Sequence, residues 1–290
     1  MSRVAVVTDS TATFPAGLGT TAARVVPLQV LAGESTWTDG EVRGRDIAAA
    51  MRGKQRVSTS RPTPVAMLAA YEAAAEEGAS EVVSIHLSSA LSSTYDSACS
   101  AAADAPIPVR VVDSRTISYP LGQAVLAACA AAEAGADSDG VEQAALAVSG
   151  ASEVLLYVAT LEHLRRGGRI GGAQALLGSA LSIKPILELR DGTVEPLERV
   201  RTAGKALARV EALSVERARH LAGDGGELRA AVLHLDAEER AAQLQQALAE
   251  ALDVPVDLTE LGAVIGAHVG PGTIAVTLSP CSPDARTDGE

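Results

Sequence analysis

Serine and threonine crowd several short segments of this sequence at places where they could hold an anion. Val7 is followed by Thr8, Asp9, Ser10 and Thr11; His86 by Leu87, Ser88, Ser89, Ala90, Leu91, Ser92, Ser93 and Thr94; Val112 by Asp113, Ser114, Arg115, Thr116, Ile117 and Ser118. Each group follows a run rich in β-branched residues, at 3–7, 81–86 and 109–112, that reads as a buried strand. In open α/β sheets the carboxyl ends of the strands are where ligands bind, so hydroxyls from several such loops can converge on one polar group. A fourth segment, Val57, Ser58, Thr59, Ser60, Arg61, Pro62, Thr63 and Pro64, reads as a loop entering a helix, with Thr63 as the cap and Pro64 in the first turn. Hydroxyls and free amides at a helix N-terminus suit an anion. Any one of these loops is also explained by the use of Ser and Thr as caps and turn formers. Four of them at one sheet edge favour a site.

Two further segments carry chemistry. Arg165, Arg166, Gly167, Gly168, Arg169 and Ile170 set three arginines around a glycine pair, which fits an anion site, a close backbone approach or a solvated helix end. His268 precedes Val269, Gly270, Pro271, Gly272 and Thr273, so a histidine ends an apolar run read as a strand, just before a glycine-dependent turn. Such a histidine is either a structural residue or a ligand contact. Other chemistries lack their motifs. Residues 17–22 match a loose dinucleotide-binding pattern, but nine residues separate them from the preceding strand and a Val-Val-Pro run follows where a helix should open. There is no GxxxxGK[ST] phosphate loop and no GxSxG elbow. The five histidines show no HxxxH or HExxH spacing and the three cysteines no CxxC, so neither a metal site nor a disulfide framework is expected.

The elements that must position these residues alternate in type. Helices are predicted at 44–53, from Pro64 with Leu68, Tyr71 and Ala75 on one face, and at 92–103, 120–133 and 138–150. A strand follows at 154–159. Asp191-Gly192 marks a hairpin between 183–189 and 193–199, followed by helix 203–221, strand 228–235, helix 237–251 and strands 254–259, 263–269 and 273–278. The reading is α/β: two α/β domains, 1–150 with a mainly parallel sheet and 151–280 with a mixed one, then a polar, turn-rich tail at 281–290 that reads as disordered.

Composition narrows the function. With 24 basic and 36 acidic side chains the net charge is −12, which disfavours duplex-DNA binding and docking on anionic lipid. Aromatics make up 2% of the 290 residues, so stacking platforms for single-stranded nucleic acid have almost no raw material. Neither a signal peptide nor an apolar run long enough to span a bilayer is visible, and a cytoplasmic location is expected.

In order along the chain, Val7 to Ala12, Thr59 to Pro64, Leu87 to Tyr95, Val112 to Ser114, Gly167 to Ile170, Lys184 to Leu187, Arg199 to Arg201 and His268 to Thr273 together resemble the DegV family of bacterial fatty-acid-binding proteins. The resemblance implies two α/β domains holding a long-chain fatty acid between them, tail buried and carboxylate at the opening. It further implies a lipid-carrying subunit, not itself a catalyst, that presents the carboxylate to a separate ATP-dependent fatty acid kinase catalytic subunit, giving acyl phosphate for phospholipid synthesis. No cofactor is implied beyond the bound fatty acid. By position the carboxylate contacts are Thr59, Ser60, Ser92, Arg201 and His268, with Thr59 and Ser92 as direct donors. Asp9, Ser10, Thr11, Arg61, Ser93, Ser114, Gly168, Arg169 and Gly270 form the supporting loops.

A carboxylate leaving water needs several such donors. At ~0.8 kcal/mol per methylene, a tail of about 15 methylenes offers on the order of 12 kcal/mol before entropic costs. Three positions depart from the family pattern: Arg61 stands where Gln is common, Ser93 where Gly is common, and Tyr119 where a small residue is common. These bear on the identity of the lipid. Two other readings are an enzyme, a small-molecule kinase or hydrolase using Ser92 as nucleophile and His268 as base, and a lipid-sensing regulatory module.

Overall fold

The computed structural model describes residues 3–15, 23–176, 183–222 and 227–281. The glycine pattern at 17–22 and the tail beyond Cys281 lie outside them. In chain order the elements are β1 (Val4–Asp9), β2 (Ala23–Val26), β3 (Gln29–Ala32), β4 (Ser35–Thr38), α1 (Gly44–Arg52), β5 (Val57–Ser60), α2 (Pro64–Glu76), β6 (Glu81–His86), α3 (Thr94–Ala102), β7 (Val109–Asp113), α4 (Tyr119–Glu133) and α5 (Ser138–Ala151). They continue as β8 (Glu153–Tyr157), α6 (Glu162–Gly167), β9 (Lys184–Arg190), β10 (Thr193–Val200), α7 (Ala203–Ala222), β11 (Leu228–Leu235), α8 (Glu238–Leu252), β12 (Val256–Glu260), α9 (Ala263–Val269) and β13 (Thr273–Pro280).

The chain divides into two compact units. The first takes Met1–Leu28 and Arg61–Ala151 and carries a parallel sheet in the order β2-β1-β6-β7. Alternation along β1 explains why both faces of this sheet are buried. Val4 and Val6 pack with Val83, Ile85, Leu121, Val125 and Val141 beneath α4 and α5, while Val7 packs with Met67, Tyr71, Val82 and Ala98 beneath α2 and α3. Thr63 caps α2 by accepting from the Ala66 amide at 3.2 Å, and Pro64 opens it. The buried face of α2 is Met67, Ala70, Tyr71 and Ala74. The predicted stripe of Leu68, Tyr71 and Ala75 is therefore rotated, because alanines on all sides of this helix leave its periodicity weak.

The second unit takes Gln29–Ser60 and Ser152–Pro280. Its main sheet, β10-β9-β8-β13-β11-β12, is mixed: β11 and β12 run parallel and the other pairs antiparallel. Asp191 and Gly192 both adopt positive φ, 48° and 81°, as a two-residue hairpin turn requires. The register shift between Pro196 and Glu198 sits on β10 at the sheet edge, where a residue without an amide proton is tolerated. Leu155, Ile186, Val210, Val232, Leu244, Ile274 and Val276 form the core.

Three sequence expectations are corrected here. Residues 263–269 are a helix, not a strand. Nearly all of Ala263–Val269 is buried, and a seven-residue apolar run buried on all sides carries no periodicity to distinguish the two. Residues 57–60 are a strand rather than a loop, the third member of the antiparallel sheet β4-β3-β5. Its four-residue strands, like β2, are short and were not legible as strands. Finally, Gln29–Ser60 groups with the second unit, whereas the sequence reading placed it within a continuous 1–150 domain; long-range strand pairing and helix contacts decide such membership, not chain order.

Candidate functional site

Thr59 and His268, 209 positions apart, meet in the second unit with Thr59 Oγ1 2.8 Å from His268 Nε2. Pairing of β5 with β3 sets Thr59 opposite Val30 and Ser60 opposite Gln29, which fixes the backbone under the hydroxyl. His268 stands in the last turn of α9. The helices α6 and α9 interlock around it: a Cβ on Gly167 would lie 2.3 Å from His268 Nδ1, and one on Gly270, at φ 79°, 2.1 Å from His163 Cδ2. Only glycine allows each imidazole to lie on the opposite backbone.

The pair opens on a cavity of about 860 Å³ whose lining includes Lys54, Arg56, His163, Arg166 and Arg169, with Met51, Val57 and Ala267 as its apolar part. That volume falls in the range of small-molecule sites. Burial, and next the charge of Arg169, lower the His268 pKa from 6.5 to about 4, so the imidazole is neutral at pH 7. Burial followed by Arg166 also lowers His163. His268 Nδ1 is buried without a hydrogen-bond partner among the described residues.

An unfolded chain takes up a proton on His268 near pH 6.5, whereas the folded site resists until about 4. Folding stability therefore falls as pH drops through that window, by up to on the order of 3 kcal/mol from this residue. Urea denaturation at pH 7 and at pH 4.5 should show the loss, and His268→Gln should reduce it. An undiminished pH dependence in that variant would remove His268 as its source.

The remaining sequence-predicted residues are distributed as follows. Ser60 is the next residue of β5 and is exposed; Arg201 follows β10, is exposed, and does not line this cavity. Arg169 lines it, and Gly168, at φ 71°, ends α6 in the left-handed conformation. Ser92 belongs to the first unit, where its Oγ lies 2.9 Å from Thr94 Oγ1. Ser93 is exposed before α3, and Arg61 Nε donates to Ser97 Oγ at 3.0 Å. Tyr119 is 1% exposed within the first unit's core. Lys54, Arg56 and His163 escaped the sequence reading; the available signal was a Lys-Gln-Arg triplet directly before the hydroxyl segment.

Several loop hydroxyls in the first unit serve the fold. The Asp9 carboxylate is 0% exposed. One oxygen accepts from the Thr11 amide and hydroxyl at 3.1 and 2.6 Å, and the other from His86 Nδ1 and the Leu87 amide at 3.0 Å each. His86 Nε2 lies 2.7 Å from Ser84 Oγ, which accepts from Tyr71 at 2.9 Å. This Asp-His-Ser series has the connectivity of a catalytic triad, yet Asp9, His86 and Ser84 are all 0% exposed, so no substrate reaches the serine. Ser10 Oγ accepts from the Leu28 amide at 3.0 Å and Ser114 Oγ from the Thr116 amide at 3.2 Å. Among the described residues no group of His, Cys, Asp and Glu could hold a metal ion, and no helix is long and apolar enough to cross a membrane. Burial pushes the Cys129 thiol up to about 12, which leaves it unreactive.

A parallel α/β unit and a mixed-sheet unit define an α/β protein whose second unit carries a cation-lined, hydroxyl-bearing cavity. Residues 3–280 match the family described as "Uncharacterised protein, DegV family", and the chain belongs to that family. A DegV domain-containing protein of Streptomyces coelicolor is 46% identical over 287 residues, covering 96% of this chain and 99% of the relative. Among solved structures, a DegV family protein from Thermus thermophilus described for its fatty acid binding is 37% identical with a TM-score of 0.86, covering 96% of this chain and 99% of that one. DegV of Bacillus subtilis, a fatty acid binding protein, is 31% identical with a TM-score of 0.86, covering 97% and 100%.

Proposed function

We propose that this protein binds a long-chain fatty acid, holds its carboxylate at Thr59 and His268 with Ser60, Ser92 and Arg201 as further head-group contacts, and buries the tail. The observation that carries the reading is the 2.8 Å contact of Thr59 Oγ1 with a neutral His268 at a cation-lined cavity. The fatty acid binding of the Thermus and Bacillus proteins supports it. In this reading the Nε2–H of His268 donates to Thr59 Oγ1. The Thr59 hydroxyl proton is then free to donate to the carboxylate. His268 in this arrangement orients the donor, and Arg169 supplies charge.

The bound acid is presented to a separate ATP-dependent kinase subunit and leaves as acyl phosphate, in the cytoplasm, with this chain contributing no catalytic residue. Denaturing mass spectrometry of the purified protein is expected to release fatty acid. A chain that is empty and takes up neither oleate nor palmitate would end the lipid reading. Incubation with ATP and fatty acid in the absence of a partner is expected to give no acyl phosphate; turnover by the chain alone would make it an enzyme.

A further inference from the structure

A fatty acid carries one negative charge, and the cavity beside Thr59 supplies more positive charge than that requires. Lys54, Arg56, Arg166 and Arg169 line it, and no Asp or Glu does, in a chain whose acidic side chains outnumber its basic ones by 36 to 24. Arg169 Nη1 donates to the Gly167 carbonyl. Arg166 Nε lies 2.8 Å from Glu162, but the same carboxylate also holds Arg165 at 2.7 Å, so two guanidinium charges face one acid. Lys54 and Arg56 are exposed and, among the described residues, neither makes an ion pair. They flank Gln55 between α1 and β5, with Lys54 at a positive φ of 62°. Two unpaired cations held on one short connection repel each other, an arrangement that an incoming anion relieves.

We propose that Lys54, Arg56 and Arg166 form a second anion subsite, next to the carboxylate pocket, that takes the phosphate of a phosphate-headed lipid. A phosphate monoester is close to a dianion at neutral pH and offers three acceptor oxygens; guanidinium groups match that geometry in pairs, and an ammonium adds a point charge. The apolar residues Met51, Val57 and Ala267 in the same lining give the first part of an alkyl chain a surface. The proposal rests on the fatty acid reading, because the alkyl chain is what the two ligands share.

The test compares palmitate with hexadecyl phosphate on the delipidated full-length chain, in the wild type and in Lys54→Gln/Arg56→Gln, by calorimetry at neutral pH. Both substitutions fall on exposed side chains, and a melting curve checks that the fold is retained. The wild type is expected to bind hexadecyl phosphate at least as tightly as palmitate. The variant should lose about tenfold or more for hexadecyl phosphate and less than about twofold for palmitate, as expected for two charge-assisted contacts made by one ligand only. Equal losses for both ligands, or no loss for hexadecyl phosphate, would overturn the subsite. Millimolar inorganic phosphate should not displace hexadecyl phosphate; displacement would make the site one for free phosphate and overturn its assignment to a lipid. Failure of the wild type to bind palmitate would instead remove the fatty acid reading.

Discussion

Replacing Thr59 and Ser92 together with alanine is expected to weaken fatty acid binding about a hundredfold or more while leaving the chain folded. Each hydroxyl donating to a carboxylate contributes about 1.5–3 kcal/mol, and the loss is larger when the acceptor stays buried without a replacement partner. Thr59 is half-buried on a paired strand and Ser92 half-buried before α3, so neither substitution opens a large cavity. The single variant Thr59→Ala also removes the hydrogen bond between this hydroxyl and His268. Titration of delipidated protein with a fluorescent fatty acid measures the effect. Unchanged affinity in the double variant would refute the head-group assignment, whatever the overall lipid content.

Asp9→Ala should cost the first unit 3–5 kcal/mol of stability, a large share of the total of about 5–15 typical of a domain. The carboxylate receives four hydrogen bonds, which fills its acceptor capacity. Removing it strands four donors in a site with 0% exposure, each costing about 1–3 kcal/mol before local relaxation. Asp9→Asn helps little, since an amide NH2 would face donors rather than accept from them. Urea unfolding followed by circular dichroism gives the number; a loss below about 1 kcal/mol would show that the network is dispensable. The same outcome would reopen Asp9 and Thr11 as ligand groups, because their present partners are all internal.

Much of the fold was legible where elements were long or strongly typed. Glu81–His86 and Leu228–Leu235 occur at the residues expected, since apolar β-branched runs between turn signals leave few alternatives. The hairpin at Asp191-Gly192 followed from turn chemistry alone. The helix carrying His268 was misread because its burial is complete enough to erase the pattern. The strand carrying Thr59 was missed because four residues of alternating hydroxyl and β-branched type gain their identity from pairing with β3, and β preference depends on such neighbours.

The candidate site divides in the same way. The residue types came from sequence: the hydroxyl segment at 57–64, the arginines around Gly167 and the histidine before Gly270. Sequence could not show that His268 binds Thr59 side chain to side chain, nor that Lys54, Arg56 and His163 share their cavity.

By itself, then, the order of residues determined the α/β class, the identity of most elements and the family, because these depend on local periodicity, turn chemistry and motif order. Tertiary structure alone decided that Gln29–Ser60 belongs with the second unit, that Asp9 is spent on internal donors, and that an acidic chain gathers four cations around one cavity. Each of these is a relation between distant positions, fixed by packing and by the demand that buried polar groups find partners.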